Sequence, residues 1–158
     1  MWVFLTIFIA VFSIDRILKI LVAENFSLGV SYPVLKDIFH ITPLRNRGIA
    51  FGLFGNTNNI VFICVAFFIL SFLLYFIIIK KPKSTLLLVG ISLIFSGAVG
   101  NLIDRIFYGY VFDFIDLRIW PVFNIADSAI TIGTFLILFC MFKEKWGQRP
   151  FLTAPKEK

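Results

Sequence analysis

Two stretches of this chain, Ile60 to Ile79 and Ser84 to Ile103, each run for 20 residues without a charged side chain. A helix needs about 20 apolar residues to cross the hydrocarbon core of a bilayer. Lipid gives the backbone nothing to hydrogen-bond with, so stretches like these must close their own bonds as helices. A third run, Val122 to Phe142, is interrupted only by Asp127 near its start, and a fourth, Trp2 to Val22, holds Asp15, Arg16 and Lys19. The pattern predicts an all-α integral membrane protein with four transmembrane helices, over about 2–22, 60–79, 84–103 and 122–142, in a single membrane domain spanning 1–158. Composition agrees. Hydrophobic residues make up 59% of the 158 and charged ones 15%, against about 25% charged in soluble domains. That excludes a soluble globule, a disordered chain and a disulfide scaffold.

The formal charge of +6 points to topology rather than to nucleic acid, because in membrane proteins basic residues gather on the cytoplasmic side. Lys80, Lys81 and Lys83 join the second and third runs, and Lys143, Lys145, Arg149, Lys156 and Lys158 follow the fourth. Both termini and the tail 143–158 are therefore expected in the cytoplasm. Lys36, Arg45, Arg47, Arg105 and Arg118 then lie outside. The first run has no basic residue before it and no small-x-small site after it, so it reads as a retained span rather than a cleaved signal. Between it and the second run, residues 23–59 carry Gly29, Pro33, Pro43, Gly48, Gly52 and Gly55, too much punctuation for a helix. Alternation at Ile38-Phe39-His40-Ile41-Thr42 suggests a small β-rich cradle at the outer surface. Cys64 and Cys140 sit inside apolar runs and read as small buried hydrophobes, and one histidine, His40, cannot build a metal cluster.

Ionisable groups in a span are costly and mark function or internal pairing. Asp15 and Lys19 are spaced i,i+4 on one helix face, which suits an ion pair. The third run ends in Ser96-Gly97-Ala98-Val99-Gly100-Asn101-Leu102-Ile103-Asp104-Arg105. Gly97 and Gly100 let another helix approach closely, but packing does not explain Asn101, Asp104 and Arg105 crowding the same end. Asp113 and Asp116 follow, then Asn124 and Asp127, where capping of the fourth helix is the structural explanation for Asp127. Carboxylates converging within 15 residues also suit a dyad that shares one proton, since two like charges held together cannot both ionise. Such a pair performs aspartic hydrolysis, one carboxylate activating water and the other polarising the carbonyl. A serine-lysine pair, with Ser96 or Ser128 beside Lys19, is an alternative that leaves the aspartates unexplained.

These residues resemble the bacterial lipoprotein signal peptidases, also called signal peptidase II. The matching blocks are Asp15-x-x-x-Lys19, Asn46-x-Gly48-x-Ala50-Phe51, Gly97-Ala98-x-Gly100-Asn101-x-x-Asp104-Arg105, Val111-x-Asp113-Phe114-Ile115 and Phe123-Asn124-x-Ala126-Asp127, in the family's order. The resemblance implies an aspartic endopeptidase of the bacterial inner membrane, with no cofactor, that cuts diacylglyceryl-modified prolipoproteins just before the lipidated cysteine. It assigns Asp113 and Asp127 to the catalytic dyad and Asn46, Asn101, Arg105 and Asn124 to the lining of the site. Asp15, Lys19, Gly48, Gly97, Gly100 and Asp104 take supporting positions, and Asp116 falls outside the family's catalytic position. The implied protein is a monomer whose site lies near the extracytoplasmic face, with membrane lipid around it. Ser96 stands where the family usually has glycine, and the segment from Asp113 to Asp127 is a few residues shorter than the family's. A proton-conducting transporter would need charges at mid-membrane, whereas here they sit at one side; an assembly subunit would use the glycine stripe as an oligomer face.

Overall fold

The computed structural model describes residues 2–48, 59–80, 82 and 84–147. Its elements are α1 (Trp2–Asn25), β1 (Tyr32–Leu35), β2 (Phe39–Asn46), α2 (Asn59–Tyr75), α3 (Thr85–Tyr108), β3 (Val111–Asp116) and α4 (Ile125–Gly147). A π-helical turn, Phe76–Lys80, extends α2. Among the described residues three helices, over Asn59–Lys80, Thr85–Tyr108 and Ile125–Lys143, are long and apolar enough to cross a membrane. The 24-residue α1 matches them in length, and what sets it apart is the charge of Asp15, Arg16 and Lys19.

Local chemistry fixes the ends of α3. Ser84 caps its start by accepting from the Leu87 N–H at 3.3 Å. Gly109 ends it with φ 76° and donates its N–H to the Arg105 carbonyl, a left-handed turn that glycine adopts without a steric cost. The helix therefore runs on to Tyr108 rather than stopping at residue 103, and carries Asp104 and Arg105 inside a hydrogen-bonded helix.

α3 is the hub, packing against α1, α2, α4 and β3. Its contact with α4 is made by backbone. A β-carbon on Gly97 would lie 2.2 Å from the Ala126 carbonyl oxygen, and one on Gly133 would lie 2.6 Å from that of Gly90. At the end of the bundle away from the sheet, Phe4, Leu73, Ile77 and Ile91 form an apolar core, and Phe95 meets the rings of Phe4 and Phe8 edge-on. The outward faces remain greasy: Phe68 is 75% exposed and Phe135 68%, as expected where lipid, not water, is the neighbour. Cys140 is buried, but Cys64 lies on the exposed face of α2, so the expectation of two buried cysteines holds for only one of them.

The sheet supplies the expected cradle and extends it, with β1 and β2 falling inside residues 23–59. Among the described residues it has three antiparallel strands in the order β1-β2-β3, and its third strand comes from between α3 and α4 rather than from residues 23–59. Residues 49–58 of that expected cradle, including Ala50 and Phe51, lie outside the described residues. β3 alternates Val111 and Asp113 against Phe112, but Phe114 and Asp116 are buried as well, which blurs the period-2 signal. The chain then turns back so that Phe123 bridges Ile115, with both N–H···O bonds between them at 2.8 and 3.0 Å. That turn delivers α4 at Ile125 rather than at residue 122.

Because the α3–α4 seam has no room for a side chain, Gly97→Ala should destabilise the protein by about 1–3 kcal/mol, the usual cost of overpacking. Thermal unfolding in detergent measures it.

Candidate active site

The sheet end of the bundle holds two clusters of polar side chains, and they differ in kind. In the first, cations meet carboxylates. Lys19 Nζ lies 3.0 Å from Asp15 Oδ2 and 2.7 Å from Asp104 Oδ2. Arg16 reaches the same two acids, at 2.7 Å to Asp15 and 2.6 Å to Asp104. Asp15 is 1% exposed and Asp104 2%, so the charges are compensated where water cannot screen them. The second oxygen of Asp15 accepts the Ala126 N–H at 3.0 Å, in the first turn of α4, where the helix dipole also favours an anion.

In the second cluster, amides meet carboxylates. Asp113, on β3, accepts from Asn124 Nδ2 at 2.7 Å on one oxygen and from Asn46 Nδ2 at 2.9 Å on the other. Asp127, on α4, accepts from Asn101 Nδ2 at 2.7 Å and from the Asn124 N–H at 3.2 Å. Asn124 Oδ1 in turn accepts the Asp127 N–H at 2.8 Å, a reciprocal capping box that starts α4. The capping explanation for Asp127 and its place in a dyad are thus compatible: one oxygen caps while the other faces Asn101.

Lys19 ties the clusters together. Its Nζ lies 3.4 Å from Asn101 Oδ1, which also accepts from Asn124 Nδ2 at 3.1 Å. With its oxygen held by two donors, the Asn101 amide must turn its nitrogen toward Asp127. Asn46, Gly48, Asn101, Arg105, Asp113 and Asp127 all line one cavity of about 370 Å³, together with Trp120, Pro121 and Phe123. Arg105 donates to the Gly48 carbonyl at 3.2 Å and lies over the Phe62 ring at 5.1 Å. It adds positive potential to the cavity without a hydrogen bond to either aspartate among the described residues.

Electrostatics separate Asp113 from Asp116, two residues on. Burial, reinforced by the negative charge of Asp127, pushes Asp113 up to about 7, and the hydrogen bonds from Asn46 and Asn124 only partly offset it. Asp116 goes the other way. Burial opposes its charge, but hydrogen bonds from Thr42 and from the backbone and guanidinium of Arg118 hold it below the ordinary carboxylate range. It sits among these partners and does not line the cavity.

The site residues named from sequence fall into these two clusters, and Gly97 and Gly100 lie beneath them against Ala126 and Asp15. Arg16 reads in the sequence only as an interruption of the first run, since no spacing rule pairs it with Asp104, 88 residues away. Asn59, which donates to the Arg105 carbonyl at 2.8 Å, was likewise missed. No serine is among Lys19's partners in the described residues, because Ser96 and Ser128 donate to the Ser92 and Asn124 carbonyls. The serine-lysine alternative loses its geometry.

With this arrangement in view, the family model for signal peptidase II (SPase II) matches residues 7–143. The chain belongs to the signal peptidase II family. It is 44% identical over 135 residues to the lipoprotein signal peptidase of Halothermothrix orenii, covering 85% of this chain and 92% of that protein. It is 40% identical over 141 residues to that of Staphylococcus carnosus, covering 87% and 88%. A bacterial membrane enzyme solved by the in meso method at 2.3 Å resolution superposes with a TM-score of 0.87 at 35% identity, over 96% of this chain and 94% of the other. A second, at 1.9 Å, gives 0.81 at 38% identity over 89% and 92%. The protein is thus a membrane-embedded peptidase of this family.

Two measurements check the electrostatics of the peptidase. Removing the Asp127 charge in Asp127→Asn should lower the Asp113 midpoint below 7, seen in an isotope-edited infrared titration of the carboxyl band. The sign for stability follows: the folded protein holds this proton between about pH 4 and 7 and the unfolded chain does not, so Asp113 stabilises at acid pH and its contribution is lost as pH rises through about 7. Separately, Lys19→Met leaves Asp15 and Asp104 with Arg16 alone and should cost about 3–5 kcal/mol, the range for breaking a buried pair, in chemical or thermal denaturation.

Proposed function

We propose that the peptidase cleaves diacylglyceryl-modified prolipoproteins just before the lipidated cysteine, with Asp113 and Asp127 as its catalytic dyad. The observation that carries this is the pair of carboxylates sharing one cavity, each satisfied by amides rather than by cations. A carboxylate paired directly with a cation is locked in its charged form; one held by amides can exchange a proton.

The roles divide by environment. Asp113, raised to about 7, carries the shared proton, and Asp127, in the first turn of α4, is the anion that the helix terminus favours. Asp127 removes a proton from water as its oxygen attacks the scissile carbonyl carbon, while the Asp113 hydroxyl donates to the carbonyl oxygen. Collapse of the tetrahedral adduct breaks the C–N bond, and the proton taken by Asp127 passes to the leaving amine. Asn46, Asn101 and Asn124 hold the dyad in register, and Arg105 gives the cavity positive potential as negative charge develops on the adduct. Asp15, Lys19, Asp104 and the glycines are supporting.

In this reading α1 is a fourth transmembrane span, with its charges turned to α3 and α4 and Ile9, Ile17 and Ile20 to lipid, more than half exposed. The chain is one membrane domain and acts as a monomer. Both termini lie in the cytoplasm, and the sheet and dyad lie at the extracytoplasmic face of the bacterial inner membrane. There a substrate anchored by its diacylglyceryl group keeps its acyl chains in the surrounding lipid and presents only the peptide to the cavity.

The test compares a diacylglyceryl-modified prolipoprotein with its unmodified form, using purified enzyme in lipid. Wild type should release the signal peptide from the modified form alone. Asp113→Asn and Asp127→Asn should each lower turnover by about 10²–10⁴-fold, the worth of a positioned acid or base, with unfolding temperature retained, while Asp116→Asn should stay active. Activity should fall as pH rises above about 7 and Asp113 loses its proton. Cleavage indifferent to both aspartates would overturn the assignment.

A further inference from the structure

Beside the dyad cavity lies a second hollow of about 370 Å³. The two share Trp120, Phe123, Asp127 and Thr131, so they adjoin along the start of α4. Leu117, Ser128 and Ile132 complete the second. Its chemistry differs from that of the first: Asp127, on the shared edge, is its one ionisable group, and aliphatic and aromatic side chains with two hydroxyls make up the rest. α4 leaves the sheet at Ile125, and a helix advances 1.5 Å per residue, so Thr131 lies about 6 Å beyond Asp127 and Ile132 further still. Phe135 and Phe139 continue the Ile132 face at helical spacing and, like it, are exposed. The hollow therefore leads from the dyad onto an apolar stripe that runs away from the sheet.

The two hydroxyls are not equivalent. A hydroxyl in an apolar helix ordinarily bonds to the carbonyl one turn back. Ser128 does so, to Asn124 at 3.0 Å, as does Thr134 on the same helix, to Ile130 at 2.8 Å. Thr131 has no hydrogen-bond partner among the described residues, although it is exposed and lines both spaces. An unpaired hydroxyl in an apolar setting is costly, so this donor suits an acceptor that enters the hollow. No cation lines the space, and the fitting ligand is neutral: an acceptor oxygen joined to hydrocarbon, as in a glyceryl ester. The inference rests on the proposed function, in which the scissile carbonyl sits at Asp113 and Asp127 and the next residue carries the glyceryl esters on its sulfur. The cysteine side chain and the glyceryl carbons together are long enough to span the distance of about 6 Å to Thr131, and an acyl chain continuing from the ester passes over Ile132 and Phe135. A phospholipid of the bilayer bears the same esters, but only the substrate's are tethered at the dyad.

We propose that this hollow receives the diacylglyceryl group of the substrate, with the Thr131 hydroxyl donating to an ester carbonyl oxygen, so that Thr131 is a residue by which the enzyme recognises the lipid. Full-length enzyme in ether-lipid bilayers, where the substrate carries the only esters, is assayed on a prolipoprotein bearing diacylglyceryl and on one bearing dialkylglyceryl, which keeps the chains and lacks the carbonyls. Thr131→Val should raise KM for the diacyl substrate roughly fivefold, the worth of one neutral hydrogen bond, and leave KM for the dialkyl substrate unchanged. Its kcat should stay within about twofold of wild type, since a loss confined to KM marks binding rather than chemistry. Thr131→Ser, which keeps the hydroxyl, should retain the wild-type KM. Ile132→Trp, which narrows the apolar end, should raise KM for both substrates; thermal unfolding checks that it is folded, and if it is not, the Thr131 variants decide alone. An unchanged KM in Thr131→Val, or an equal rise on both substrates, overturns the proposal and leaves the dyad standing. An effect of Thr131→Val seen only in bilayers of ester lipid would assign the hydroxyl to bulk lipid and overturn it as well. Failure of wild type to cleave either lipidated form, or cleavage indifferent to Asp113→Asn and Asp127→Asn, would instead sink the proposed function and this inference with it.

Discussion

Charge that must be hidden from lipid organises this molecule. Asp15, Arg16, Lys19 and Asp104 would each be costly to bury alone; Arg16 and Lys19 pair with Asp15 within α1, and Asp104 gains both cations only when α1 docks on α3. The docking then reaches a third helix, because Asp15 spends its second oxygen on the Ala126 N–H. One four-membered ion cluster therefore fixes the start of α4, and with it the residue next in sequence, Asp127. The glycines are the complement of this arrangement. They let the backbones come close enough for a single short carboxylate to touch both helices.

The same acid appears in two electrostatic settings a few ångströms apart. Asp15 and Asp104 receive cations, whereas Asp113 and Asp127 receive amides. Cations fix a carboxylate as an anion; amide donors orient it and leave its proton free to move. Lys19 sits on the boundary, pairing with the first set while setting the orientation of the Asn101 amide that serves the second. Framework and chemistry thus share atoms without sharing function, and the high position of Asp113 arises from burial and from its neighbour rather than from any cation near it.

Much of this was legible in the chain. Runs as long as Ile60 to Ile79 admit one conformation in lipid, so the helices could be placed within a few residues, and Asp15 and Lys19 declare themselves by the i,i+4 rule. What was hidden depended on distant pairing. β3 was not seen as a strand because burial on both faces erases its alternation, and its partner β2 lies some 70 residues earlier. Arg16 carries no signal of its own because its acid is on another helix. The ends of α3 and α4 moved because Gly109 and the Ile115–Phe123 bridge, not hydrophobicity, decide where helix begins and stops.

The seam between α3 and α4 also bears on how such a protein can diverge. At Gly90, Gly97 and Gly133 the two backbones occupy the space that side chains would need, so mutation has almost nothing to vary there. Room for other side chains lies instead on the outward faces of the helices and in the turn from Leu117 to Val122, where Ile119 is 92% exposed. A protein built this way has room to change at its periphery, while the spacing of whatever α3 and α4 hold between them is set by backbone against backbone.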